Sequence, residues 1–256
     1  MFSIKKIAPF AALAALLVAP AATAAPDRVA GAAGGDAGTL LYPSIVNVPF
    51  TRIEAALTRA VKYTDTAQPD KAIAQLAIVR AQVKKAWRGE KYLIDNAPPP
   101  APGDLAFESG APVATSPFAS AEDSGAQFFV VLSDVASTSQ ALAEAAKGTV
   151  QSALSTTIFA TLNQRDASIK YIHDHQPPPP PGDVVADESG APIAAGWSGV
   201  MPTVGDYVGD ELQELDAMLE NTALSAGSKR IFRAAELQDT KTQKTINALW
   251  PPVPGD

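Results

Sequence analysis

His173 and His175 are the only two histidines in the 256-residue chain, and their spacing is the first test of metal chemistry. Residues two apart on an α-helix point about 200° from each other. The pair can share zinc or copper only if the helix frays before the proline run that begins at Pro177. The nearby carboxylates Asp174 and Asp183 are scattered, and the chain has no Cys to complete a ligand set. The pattern predicts two surface histidines at a helix end, where a cation suits the dipole.

Nucleophilic catalysis is as poorly supported. Ser189 lies in Glu-Ser-Gly-Ala, not in a Gly-x-Ser-x-Gly elbow, and no strand is predicted before it. Asp183, Asp187 and Glu188 lack the alternating oxygen ligands and closing Glu of a calcium loop. The glycines between Gly31 and Gly38 precede no Lys-Ser/Thr and so make no phosphate loop. Trp87 sits in a helical stripe and reads as core. Trp197 and Trp250 lie beside glycine or proline, where an indole either stacks on a ligand or packs on proline within the fold. No catalytic, cofactor-binding or metal residue is assigned, no cofactor is implied, and the chain is not expected to be an enzyme.

The first 24 residues explain where such a chain would work. Lys5 and Lys6 precede an apolar run over 7–18, Pro20 breaks it, and Ala22-Thr23-Ala24 is a small-residue cleavage site. Cleavage near Ala24 is expected, because cutting one residue later would put Pro26 at the first mature position. The protein is therefore expected to be secreted or periplasmic, with no stable membrane insertion after signal cleavage. The formal charge is −7, and loss of the two signal lysines takes it to −9. That balance, with no Lys/Arg run longer than two after the signal, argues against nucleic acid as a partner. Without cysteines, stability must come from packing.

Proline divides the rest. Sixteen of the 22 prolines fall within 98–117, 177–202 and 251–254, leaving 70–97, 118–176 and 203–250 free of it. An interior proline costs a helix about 3 kcal/mol, so the free windows predict long helices. The boundaries also repeat: residues 91–104 align without gaps with 170–183, 79 residues on, at nine of fourteen positions. Glu-Ser-Gly-Ala-Pro recurs at 108–112 and 188–192, and a shorter Pro-Gly-Asp ending closes the chain. The units finish near 104, 183 and 256, each with room for two helices.

Within unit one, Thr51-Arg52-Ile53-Glu54 has the form of a capping box, and Ile53, Ala56, Leu57, Ala60 and Val61 follow it as one apolar stripe. A second helix opens at Pro69 and carries Ile73, Leu76, Ala77, Val83, Trp87 and Ile94. Unit two has one stripe through Phe128, Val131, Leu132, Val135 and Leu142, a stop at Gly148, and another through Val150, Leu154, Ile158, Leu162, Ile169 and Ile172. Residues 128–132 alone could pass for a buried strand. Unit three has Val208, Leu212, Leu215 and Leu219, a break over 225–228, then Ile231, Ala234, Ala235, Ile246 and Leu249. The linkers, 97–117 and 176–202, are expected to be non-helical, with polyproline II over Pro177–Pro181.

The expected fold is all-α: three helical-hairpin repeats, about six helices, joined by proline-rich linkers as one bundle or a tandem array. The expected divisions are a signal peptide at 1–24, a flexible N-terminal segment at 25–49, hairpin 1 at 50–104, a linker at 105–117, hairpin 2 at 118–183, a linker at 184–202 and hairpin 3 at 203–256. The expected function is that of an exported, soluble, non-catalytic binding or spacer module at the cell envelope or outside the cell. Its partner would be an envelope or extracellular protein or a cell-wall component. The alternatives are a small-molecule carrier with a cavity between helices and a His-dependent metal-binding protein or enzyme.

Overall fold

Proline sets the first turn of the longest early helix. In the computed structural model, which describes residues 42–96, 121–175, 185–186, 192–193 and 197–250, a helix opens on Pro69 as its position and fixed φ dictate. This is α2 (Pro69–Asn96); before it α1 spans Tyr42–Asp65, and Thr66, Ala67 and Gln68 make the turn. Ala67 takes a positive φ of 53° there. The second pair is α3 (Ala121–Ala145) and α4 (Gly148–His175), the third α5 (Trp197–Leu219) and α6 (Ala226–Leu249). Gly148 holds φ +62° between α3 and α4, the left-handed corner that a glycine stop supplies. Ser225 caps α6 by accepting from the Ser228 amide. The only other elements among the described residues are β1 (Val185–Ala186) and β2 (Pro192–Ile193), paired antiparallel. The described architecture is all-α with six helices.

Residues 128–132 are helical, inside α3, as the all-α reading requires. Two local expectations are corrected. The supposed capping box lies within α1, and Thr51 Oγ1 instead donates back to the Asn47 carbonyl at 3.1 Å. The helix starts earlier because Val46 and Phe50 are buried there, and that packing outweighs the interior Pro49. Pro49 cannot donate to the Ile45 carbonyl, and it is against that carbonyl that α2 brings Gly89; a Cβ on Gly89 would lie 2.9 Å from it. Second, residues 197–202 belong to α5, with Pro202 inside it, so the stretch expected to be non-helical stops short of Trp197. Burial of Trp197 and Met201 anchors this turn.

The helices form two layers. Each hairpin packs its own two helices together; α2 lies on α4 and α4 on α6, while α1 lies on α3 and α3 on α5. Helices α2 and α4 run parallel, since Arg80 meets Thr157 early and Lys91 meets Tyr171 near both C-termini. Helix α6 runs parallel to α4 by the same test: Gln151 meets Ser228, Arg165 meets Asp239, and His173 meets Trp250. One apolar cluster joins α1 through α6 around Phe128, Ile169, Ile172, Met201 and Ile246. Another gathers Leu76, Leu154, Ile158, Leu215 and Phe232. Residues Ala37–Asp256 thus form one unit with α3 and α4 in the middle.

Candidate functional site

Helix α4 is surrounded by α2, α3 and α6, and the register of its stripe admits polar side chains to the interior. Leu154, Ile158, Leu162, Ile169 and Ile172 are buried, and at the same spacing so is Arg165. Its Nη1 donates to Glu211 Oε2 at 2.8 Å from α5; its Nη2 donates to Asp239 Oδ1 at 2.5 Å and Thr242 Oγ1 at 3.3 Å from α6. Asp166 lies 3.5 Å from Nε. Burial alone would lower the Arg165 pKa, but Glu211 and Asp239 hold it raised. Burial pushes Glu211 up to about 7 against the pull of Arg165, and raises Asp239 as well. One guanidinium thus works against the burial of two carboxylates at once. The centre is closed, and what it can do is fasten α4 to α5 and α6.

A second centre joins α2, α3 and α5. Glu90 is fully buried, receives the Ser124 hydroxyl at 2.5 Å, and is pushed to about 8 mainly by burial, with the Glu122 charge adding to it. Gly125, beside Ser124, lets the Trp197 ring come so close that a Cβ would lie 2.1 Å from Cη2. Trp197 is therefore buried against α3, with no face offered to a ligand. Glu90 Oε1 and Trp197 Nε1 have no hydrogen-bond partner among the described residues.

The histidines lie near the C-terminal end of the α2/α4/α6 layer. Helix α4 runs unbroken to His175, so the two rings diverge. His175 stacks on Tyr171 at 3.7 Å; His173 meets Asp174 at 3.2 Å and the Trp250 edge at 5.7 Å. Among the described residues no three His, Asp or Glu side chains are grouped to hold a metal ion. Tyr171 also donates to Asp95 and accepts from Lys91 Nζ at 2.7 Å, and Lys91 pairs with Asp95. Trp87 lies between Phe128 and Tyr171, partly buried at the edge of the core cluster where a core position was expected. Asp183, Asp187, Glu188, Ser189 and the glycines from Gly31 to Gly38 lie outside the described residues.

The surface divides by sign. Helices α2, α4 and α6 carry 13 Lys or Arg against 7 Asp or Glu; α1, α3 and α5 carry 3 against 11, and α3 and α5 have no base at all. On the basic layer, Lys84, Lys85, Arg88, Arg230, Arg233, Lys241 and Lys244 are exposed and make no ion pair among the described residues. Two open grooves flank the outer side of α4: one of about 410 Å³ between Ala77, Arg80, Ala81, Lys84 and Thr156, the other of about 300 Å³ with Ser152, Ser155 and Arg230 in its walls. On the acidic layer like charges crowd each other. Asp134 is raised by partial burial and by Glu54, and Glu214 by partial burial and by Asp210. Composition carries one sign for the whole chain, and only the layering assigns charge to faces.

No family model, curated protein or solved structure matches the chain.

Proposed function

We propose that the chain is an exported, non-catalytic helical-repeat protein that serves as a binding or spacer module at the cell envelope or outside the cell. The observation that carries this reading is the spacing of six bonds between corresponding parts of neighbouring hairpins. Arg80–Thr157, Lys91–Tyr171, Gln151–Ser228, Arg165–Asp239, Gln238–Asn163 and Asn221–Glu144 join residues 77, 80, 77, 74, 75 and 77 apart. Contacts between corresponding positions at separations that recur within 74–80 residues are what stacked copies of a unit make. The 28-residue helices α2 and α4 start and end 79 residues apart, the offset of the sequence match at 91–104 and 170–183. The best-made polar groups are spent on this stacking, which leaves the outer faces of the layers as the surface for partners.

Export is tested by fractionating cells that make the full chain and sequencing the N-terminus of the protein outside the cytoplasm. The expected terminus is Ala25; full-length chain confined to the cytosol overturns the reading. Binding is tested by a photo-crosslinking residue at Ser155, on the groove beside Arg230. A discrete adduct is expected in the envelope or medium fraction, and no adduct in either removes the binding role.

A further inference from the structure

We propose that the basic outer face of α2, α4 and α6 docks against the acidic outer face of α1, α3 and α5 of a second copy of this chain. This rests on the layered arrangement and not on export or on an envelope partner, so the two readings fail separately.

The argument is charge complementarity between two faces of one molecule. Lys84, Lys85 and Arg88 follow one another along exposed α2, and Arg230 and Arg233 along α6, on either side of a strip of α4 made of Ser152, Ser155 and Thr156. Nothing among the described residues neutralises these bases. The opposite layer has the reciprocal lack. Asp206, Asp210 and Glu214 recur every four residues on α5, a helix without a base, and Glu54 faces Asp134 across α1 and α3. In a single copy these carboxylates repel one another; against the second copy's bases each repulsion becomes an attraction.

Size permits it. The three parallel helices of the basic layer, 24 to 28 residues, about 36–42 Å long and about 9 Å apart, present a face of roughly 1,000 Å². A specific interface needs about 800 Å² per partner. The net charge of −7 on each copy repels only at long range, and at physiological salt the screening length of about 8 Å leaves contacts between faces intact. The two faces differ, so the contact is heterologous and leaves one face of each kind open at the ends of a stack.

Sedimentation equilibrium on the purified protein tests this through two variants with the same change in net charge. Lys84→Gln/Lys85→Gln/Arg88→Gln strips the basic face, whereas Arg52→Gln/Arg59→Gln/Lys62→Gln removes the three bases of the acidic layer. All six positions are exposed or on outward turns of long helices, and glutamine keeps the helix. The unaltered protein is expected to rise in mean mass with concentration at about 0.1 M salt and to return to monomer near 1 M. The α2 variant is expected to weaken association about tenfold and the α1 variant to strengthen it. A monomer at every concentration overturns the proposal. So do variants that shift the same way, which would mean net charge alone acts, and so does binding of the basic face to a nucleic acid or anionic vesicle without self-association.

Discussion

Arg165 and Tyr171 sit two turns apart on one helix and make comparable bonds, yet burial separates their value. Arg165 is 3% exposed, and removing it strands Glu211 and Asp239 without a counter-charge. Arg165→Met is expected to destabilise the protein by about 3–5 kcal/mol, read as a shift in denaturation midpoint. Glu211→Gln keeps an acceptor for the guanidinium and leaves a one-to-one pair with Asp239, so it is expected to be tolerated. Tyr171→Phe breaks two bonds in a partly exposed cluster, with Asp95 and Lys91 in water, and is expected to cost less than about 1 kcal/mol. Glu90 predicts a pH dependence. Unfolded, it titrates near 4.5; folded, near 8, so between those values the folded state holds a proton that the unfolded state has released. Stability is therefore expected to fall as pH rises through that window and to level above it, with Glu211 acting in the same sense up to about 7. Glu90→Gln is expected to flatten most of the slope in denaturant titrations from pH 5 to 9, and an unchanged slope would assign the dependence elsewhere. Sequence reading passed these charges over: Arg165 follows Leu162 by three, Glu211 lies between Val208 and Leu215, and Asp239 between Ala235 and Thr242, each on its helix's interior register. Such residues are almost never fully buried unless paired, and the sequence does not name the partner.

At the scale of the element, proline and glycine were read with unequal success. Pro69 and Gly148 stand at helix starts and were legible because φ decides both. Pro49 and Pro202 lie inside α1 and α5, and the sequence misplaced both helix starts because the burial of Val46, Phe50, Trp197 and Met201 comes from distant partners. Stripe phase erred for the same reason: Phe232 is fully buried where Ile231 is only partly so, and Ala77 is exposed while Ala72 is not. The start of α5 depends on Gly125. Gly125→Ala is expected to drive a Cβ into the Trp197 ring, to lower stability by about 1–3 kcal/mol, and to redden the indole emission as the ring leaves its site. An unchanged spectrum with an unchanged melting temperature would mean that α5 is seated by other contacts.

For the whole molecule, the acidic total concealed its arrangement. A charge of −7 was read as unfavourable to anionic partners, and no basic run longer than two offset it. Helical spacing builds the basic face from residues three and four apart, such as Lys84, Lys85 and Arg88, and only the stacking of α2, α4 and α6 makes these a surface. The recurring words 79 residues apart were legible; the order of the layers was not, because it depends on which helices lie parallel. That order has a mechanical consequence. Helices α1 and α2 touch only the middle pair, as do α5 and α6, whereas α3 and α4 are held from both sides. Pulled from its two ends, the chain should peel the outer hairpins away first and surrender the middle one last. Each release should add the 53–55 residues of one helix pair, or roughly 190 Å of contour, so optical tweezers should record a staircase of nearly equal steps. A protein built this way yields under tension by instalments, lengthening well before its last core gives way.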